Sequence, residues 1–497
     1  MKGDFSRDTF DSVKHFSRVL QQQGRVQLDA DWNEQTAIVL HYLRTLAADL
    51  IGPFAGPQGS SGFEITRAAG VDGPKNDFTI GAGRYYVDGI LCENEKEDVA
   101  YLTQKDYPTP PTLGTEKNNL VYLDVWERHI TALEDDYIRE KALGGPDTAT
   151  RTKVVWQVKI DDGKGDLPTD LTSKAVRGDW GKWIARWQPR HLGCLMARVD
   201  KPEEDSKDPC LTAPDAKYRG QENQLYRVEI HKGGSRGPGG EPTFKWSRDN
   251  GSVVSRVLEW SGTELVVEKP LGFAAGNWVE LINEGQERRG EPGTLIKLVK
   301  VEGDRFTLES SVPSGEVGTT RARRWDQTDK GGITLNDGAV QVKEGIAKPN
   351  WIELEDGIQI QFMPAQTGEA HHYRTGDYWL IPARVATGDI EWPPELDADG
   401  VPKRDDQNKV IPSHQPPFGI RHHYAPLAIL KPDRNEADDC RCEITAPLNS
   451  CQMSSFGIDG MGGRPLCDTP ILKSTSRVST KSEGADDTKP PRRVKRK

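Results

Sequence analysis

The clearest hydrophobic pattern in the chain is a helical one near its beginning. Two rows of residues alternate at steps of three and four: Trp32, Val39 and Leu46, and Thr36, Leu43 and Leu50. This spacing places all six on one stripe of a helix. Because Gly52-Pro53 ends the pattern, we predict a helix of about 20 residues.

The start of this helix has two competing interpretations. Asp29, Asp31 and Asn33 match the first ligands of an EF-hand loop, but Glu34 replaces the required glycine and Leu40 the closing glutamate, so that loop is excluded. Asp31 as N-cap, with Glu34 three residues later, instead predicts a capping box.

The apolar stripe spans fewer than three heptads, too short to require a coiled coil. It must nevertheless pack on the protein's own body or on a neighbouring subunit. Upstream, Phe16, Val19 and Leu20 predict a short helix that ends near Gly24. We interpret residues 1–60 as a helical docking segment. Its candidate docking residues are Asp31, Trp32, Glu34, Val39, Leu43 and Leu46.

In the rest of the chain, apolar and polar residues alternate in short runs, a pattern that predicts short strands. Long strands are predicted at 119–130, 152–160 and 225–232. Two hairpins follow, one turning at Ser261-Gly262 and one at Glu302-Gly303-Asp304. A third β region opens at 350–362 and contains an inserted loop at 393–417, whose Asp397-Ala-Asp399-Gly400 is typical of a turn.

These patterns predict a mainly β, multidomain protein of small antiparallel barrels or sandwiches with an N-terminal helical segment. Beyond the docking segment, we predict four regions. They are a β domain with loop insertions at 61–232, a small antiparallel barrel or sandwich at 241–325, a β domain with an inserted loop at 326–472, and a disordered basic tail at 473–497.

The composition agrees with this organisation and limits the classes of binding partner that we expect. The chain has 497 residues, too many for one compact core, and its 50 glycines and 33 prolines favour short strands joined by turns. A net charge of -10 argues against non-specific binding of nucleic acid. The tail from Lys473 carries nine basic and three acidic residues, which indicates a solvated tail or a tether to an acidic partner.

No catalytic motif is present, and the metal candidates are weak. His371-His372 and His422-His423 could form a site only if each pair supplied one ligand, because adjacent strand residues face opposite ways. The four clustered cysteines lack zinc-ribbon spacing, which leaves ordinary thiols, later disulfides or a metal open. They are Cys440, Cys442, Cys451 and Cys467. We expect no cofactor.

No apolar run approaches the length of a membrane span, and the first 17 residues contain no hydrophobic signal core. We therefore expect synthesis and assembly in the cytoplasm, with extracellular release by cell lysis left open.

Four stretches carry a resemblance to a family encoded among genes for contractile, phage tail-like particles, including extracellular contractile injection systems. They are residues 14–35, 138–160, 243–254 and 373–393, and the similarity covers roughly residues 1–450. The resemblance implies a structural subunit of the baseplate, fibre or particle exterior, with other particle subunits as partners. It transfers no catalytic residue, so we expect no enzymatic activity.

The rival hypothesis is a carbohydrate-binding or glycan-processing protein carried on such a particle. Trp180, Trp183 and Trp187 would favour it if they lined a groove, but their spacing predicts one face of a short packed helix. Homo-oligomerisation and binding of a surface glycan stay open.

Overall fold

The computed structural model describes one compact unit, Met1–Ile444, with several gaps. The described residues are 1–67, 77–114, 117–161, 167–168, 170–188, 193–200, 218–235, 241–312, 321–329, 333–346, 350–364, 371–432 and 437–444. The predicted basic tail and both Cys451 and Cys467 therefore lie outside the described residues.

Helices are few in the described part of the chain. The α-helices are α1 Asp29–Ile51, α2 Ser173–Gly178, α3 Trp180–Trp187 and α4 Glu284–Arg289. The 3-10 turns are Ser12–Lys14, Tyr101–Thr103, Asp136–Ile138 and Lys141–Leu143.

The predicted N-terminal helix is confirmed, and it ends at Gly52 as expected, but its predicted start is wrong. Leu28 is the N-cap and makes no side-chain cap bond. Asp31 is therefore already inside the helix and cannot cap it, and Glu34 accepts a hydrogen bond of 2.6 Å from the Thr9 hydroxyl. The short helix predicted around Phe16 to Leu20 is also wrong, since that stretch has no regular secondary structure and is exposed apart from a half-buried Val19.

Strands make up most of the unit, and they fall into three groups along the chain. The first group is β1 Phe54–Pro57, β2 Ile65–Arg67, β3 Phe78–Ile80, β4 Gly83–Val87, β5 Ile90–Asn94, β6 Val99–Ala100, β7 Asn119–Ile130, β8 Arg151–Ile160, β9 Leu195–Val199, β10 Gln224–Lys232, β11 Gly234–Ser235 and β12 Thr243–Ser247. The second is β13 Val254–Ser261, β14 Glu264–Val267, β15 Trp278–Ile282, β16 Thr294–Glu302, β17 Arg305–Leu308 and β18 Arg321–Trp325. The third is β19 Leu335–Asn336, β20 Ala339–Gln341, β21 Ile352–Glu353, β22 Ile358–Phe362, β23 His372–Tyr373, β24 Tyr378–Arg384, β25 Asp389–Ile390, β26 His423–Leu430, β27 Asp438–Asp439 and β28 Glu443–Ile444.

The fold is mainly β, as predicted, and its sheets enclose three main apolar cores. The first core lies among the sheets β28-β1-β4-β5, β2-β3-β6 and β27-β26-β7-β8. The second lies between β19-β20-β12-β10-β24-β25 and β21-β22-β9. The third fills a closed barrel of order β13-β14-β17-β16-β15-β18.

Strand pairing crosses the domain boundaries drawn from the sequence. The late strand β26 pairs with β7, and β24 pairs with β10. Strands from 61–232 and 326–472 therefore share sheets, which brings distant parts of the chain together.

The barrel contains both predicted hairpins. β13 pairs with β14, and β16 with β17. Leu265, Val267, Phe306 and Leu308 alternate inward and are buried, as expected for half-buried strands. Residues 243–247 lie outside the barrel, because β12 pairs with β10 in the six-stranded sheet.

The three clustered tryptophans pack in helix α3, as their spacing predicted. Trp187 stacks on Tyr122 at 3.7 Å between ring centroids, and the indole N–H of Trp180 donates to the Tyr424 carbonyl at 3.0 Å. They belong to the first core rather than to a groove.

No helix in the described ranges is long and apolar enough to cross a membrane.

Candidate functional site: a charged cavity beneath an exposed helix

Helix α1 turns its apolar stripe toward solvent. Trp32 is 59% exposed, Val39 45%, Leu43 57%, Leu46 57% and Leu50 69%. These five residues are called the exposed α1 face. They are the large members of the stripe identified from sequence, so the helix lies on the body through a different side.

The opposite side of α1 holds it against the body. Ala30 and Ile38 are buried to 1% exposure. Arg44 donates two hydrogen bonds, of 2.9 and 2.8 Å, to the carboxylate of Glu127 on β7. This bidentate pairing fixes the rotation of the helix, and with it the outward direction of the exposed α1 face.

At Gly89 the backbone of a turn between two strands packs directly against the backbone of α1. It follows Asp88 in the two-residue turn between β4 and β5, with φ values of 47° at Asp88 and 77° at Gly89. A Cβ built on Gly89 would lie 2.2 Å from the backbone oxygen of Arg44. Glycine is therefore required here both for its conformation and for the space that α1 occupies.

Gly89→Ala is expected to loosen α1 and to cost at least about 2 kcal/mol more than Gly400→Ala. Gly400 has nearly the same φ, 79°, but nothing lies within 4 Å of its added Cβ. Thermal unfolding and amide hydrogen exchange in α1 would measure both variants. Equal losses in the two would contradict the close packing of α1 on this turn.

A cavity of about 710 Å³ lies between α1 and the sheets. Its lining includes residues of α1, the N-terminal segment, β7, β10, β12, β15 and β18, so strands from the sheets around all three cores contribute to it. Leu40 and Ile420 on its lining are 39% and 41% exposed, whereas Glu229 is 2% exposed. The cavity thus reaches from the surface to a deeply buried floor.

A first ion cluster forms part of this floor: Lys2, Arg227, Glu229, Lys245 and Glu280. The Glu229 carboxylate contacts Arg227 at 2.6 Å, Lys2 at 2.9 Å and Lys245 at 3.4 Å. Lys245 also pairs with Glu280. The two carboxylates are thereby linked through one ammonium group.

Burial and charge act in opposite directions on these carboxylates. Burial alone would raise the pKa of Glu280, but the attraction of Lys245 and Lys2 outweighs it and holds the pKa at about 2. Burial likewise opposes ionisation of Glu229, yet Lys2, Arg227 and Lys245 hold its pKa well below its usual range. Both groups are therefore ionised at neutral pH.

The first residues of the chain contribute directly to the cluster. Asn250 donates to the Met1 carbonyl at 3.0 Å and to the Gly3 carbonyl at 2.9 Å. These bonds hold Lys2 in position to pair with Glu229. The beginning of the described chain is therefore an integral part of the fold.

A second ion cluster lies beside the first and is balanced in charge. Glu287 contacts Arg128 at 2.7 Å and Arg321 at 2.6 Å. Glu134 pairs with the same two arginines. Burial opposes the charge of Glu287, but Arg321 and Arg128 hold its pKa far below its usual range.

The sequence-predicted docking residues lie apart from these clusters. Trp32, Val39, Leu43 and Leu46 are on the exposed α1 face. Asp31 and Glu34 lie in the first turns of α1, and Glu34 bonds Thr9 of the N-terminal arm.

Sequence reasoning missed the charged floor, although one signal was present. Arg227, Glu229 and His231 alternate along β10, a strand in which every residue from Leu225 to His231 is buried. Charges with a period of two inside a buried strand indicate a polar internal face. Their partners come from distant segments, which no local pattern can reveal.

The histidine pairs each have separate partners. His371 contacts Glu344 at 3.0 Å and His372 contacts Ser235 at 3.1 Å. His422 contacts Asp124 at 2.7 Å, and His423 contacts Asp88 at 2.8 Å. Within the described ranges, no group of three His, Cys, Asp or Glu side chains could hold a metal, and Cys440 and Cys442 are free thiols.

Comparison with known families places the chain in one of them. A family model described as "Family of unknown function (DUF6519)" matches residues 1–177 and 188–457, so the chain belongs to that family. Neither the curated proteins nor the solved structures contain a significant match.

Proposed function

We propose that this chain is a structural subunit of a phage tail-like contractile injection particle and that it attaches to the particle through helix α1. The observation that carries the proposal is the exposed α1 face. Five large apolar or aromatic side chains on one helix stripe are between 45% and 69% exposed. A continuous apolar surface of this kind typically marks a protein interaction site.

The proposed occupant of the exposed α1 face is a helical segment of another particle subunit. The stripe repeats at alternating steps of three and four residues, which is the spacing that interlocks with a second helix. From Trp32 to Leu50 it spans about 27 Å at the helical rise. Tyr42, also exposed, widens the stripe beyond a narrow two-helix seam.

The assignment to a phage tail-like particle rests on the sequence resemblance described above, and a structural role is compatible with that resemblance. Assembly in the cytoplasm and release on lysis form part of the same proposal. The glycan-binding alternative receives no support from Trp180, Trp183 and Trp187, because these side chains pack in the first core.

Leu43→Glu with Leu46→Glu is expected to abolish co-purification of the chain with the particle. Two carboxylates on the exposed α1 face would have to be desolvated at the interface, which lowers affinity by at least about 100-fold. Particles purified from producing cells would be analysed by mass spectrometry. Because both leucines are already exposed, thermal unfolding of the isolated variant should match that of the wild type.

Leu258→Glu provides the matched control, because Leu258 on the barrel strand β13 is 53% exposed and distant in sequence from α1. This control should remain on the particle. Retention of the α1 variant, or absence of the wild-type chain from purified particles, would refute the proposal. Deleting residues 1–52 would be a poorer test, since it removes Lys2 from its buried ion pair.

A further inference from the structure

Arg323 is a buried cation without a carboxylate partner. It lines the cavity and is 7% exposed. Its guanidinium donates to the Gly251 carbonyl, and no carboxylate in the described part of the chain lies within ion-pair distance. A guanidinium has five N–H donors, so most of its binding capacity is left unused.

The excess of positive charge around Arg323 is local to the buried floor, because the cavity lining as a whole holds eight acidic and eight basic side chains. The first ion cluster supplies three cations, Lys2, Arg227 and Lys245, against the two carboxylates of Glu229 and Glu280. With Arg323 the count is four cations against two anions, an excess of two. The second ion cluster has two arginines and two glutamates and does not reduce this excess.

We propose that the cavity beneath α1 binds a small organic oxyanion, a carboxylate or phosphate group that Arg323 receives at the buried floor. This inference goes beyond attachment to a particle and does not depend on it. A buried, unneutralised cation costs free energy unless an anion reaches it, and a forked guanidinium matches the paired oxygens of a carboxylate or phosphate.

The apolar part of the cavity lining indicates the chemical character of the part of the ligand that does not contact Arg323. Apolar and aromatic walls come from Leu40 on α1, Trp126 on β7, Ile282 on β15, and Phe10 on the N-terminal arm. A cavity of about 710 Å³ accommodates a compact organic molecule rather than a single inorganic ion. The fitting ligand therefore has one oxyanion group and a short apolar portion.

The test compares the thermal unfolding of the purified full-length chain in matched pairs of additives. Sodium phosphate is compared with sodium chloride at equal ionic strength, and octanoate with octanol. Phosphate and octanoate are expected to raise the unfolding midpoint by about 2 °C or more at saturating concentration, whereas chloride and octanol should not.

The variants separate binding at Arg323 from general salt effects. Arg323→Gln should unfold at a higher temperature than wild type in chloride, because an uncompensated charge is removed, and it should bind octanoate at least about tenfold more weakly. Arg323→Lys keeps the charge and should keep part of the response. Arg305→Gln, at an exposed position of β17, is the control and should respond as wild type does.

Either of two results would overturn the proposal. One is a wild-type unfolding midpoint that is no higher in phosphate than in chloride and no higher in octanoate than in octanol. The other is an equal response in wild type and Arg323→Gln, which would assign the stabilisation to solution effects rather than to the cavity.

Discussion

Glu229→Gln is expected to lower the free energy of unfolding by about 3–5 kcal/mol, the usual cost of removing one partner from a buried ion pair. Glu229 is 2% exposed and contacts Lys2, Arg227 and Lys245. Its neutralisation leaves these cations with Glu280 as their remaining carboxylate in the cluster. Denaturant and thermal unfolding of the purified chain measure the loss.

The matched control is Glu302→Gln in the barrel. Glu302 pairs with Lys300 at 2.7 Å, but both side chains are mostly exposed, at 65% and 59%. A surface pair of this kind contributes little, so the change should stay within about 0.5 kcal/mol. Adding Lys2→Met to Glu229→Gln removes one uncompensated charge and should recover part of the stability. Equal losses in the Glu229 and Glu302 variants would show that the first ion cluster does not stabilise the fold.

A steep loss of stability in acid is the second large effect. The folded-state pKa of Glu280 is about 2, and those of Glu229 and Glu287 are also far below the unfolded value of 4.5. For a carboxyl group with a lowered pKa, the stabilisation is complete above the unfolded pKa and is lost as the pH falls through the folded pKa. Glu280 alone accounts for about 3 kcal/mol at neutral pH.

Other buried groups determine the pH at which stability begins to fall on acidification. Burial and the nearby Lys245 lower the pKa of His231 to about 4, so its contribution also declines as the pH falls from 6.5. Burial raises the pKa of Glu355 to about 7 and that of Asp377 to about 6, so these two groups favour folding as the pH falls toward 4.5. Burial also lowers the pKa of His129 to about 4, so the loss begins below pH 6.5 and becomes steepest below about pH 4.5, where the buried carboxylates protonate.

The measurement is thermal unfolding between pH 7 and pH 2 for wild type and Glu280→Gln. The variant should be less stable at neutral pH, and the difference should shrink as wild-type Glu280 becomes protonated below pH 4.5. A constant difference across the whole range would contradict the ionised state assigned to Glu280.

The sequence predicted the local elements of this fold far better than its long-range arrangement. The strand expected at 119–130 is β7, and both barrel hairpins turn at the predicted residues. Alternation and turn residues act within a few positions, so one chain segment contains the whole signal. The six-stranded sheet was not predictable in this way, because β10 pairs with β24 about 150 residues away.

The same difference between local signals and long-range contacts explains which parts of the candidate site could be predicted from the sequence. The apolar stripe of α1 was visible because it lies on one helix, and in the structure its large side chains are exposed. The expected capping box is absent because the helix begins at Asp29, before Asp31, and Glu34 instead binds Thr9 on a separate segment. The first ion cluster joins residues 2, 229 and 280, and these charged groups come together only on folding.

Attachment through the exposed α1 face is tested most directly by site-specific cross-linking in producing cells. A photo-reactive amino acid would replace Leu43 in one strain and Leu258 in another, and adducts would be identified by mass spectrometry. We expect an adduct from position 43 to another subunit of the particle and none from position 258. No adduct from position 43, or an adduct only to a second copy of this chain, would contradict this expectation.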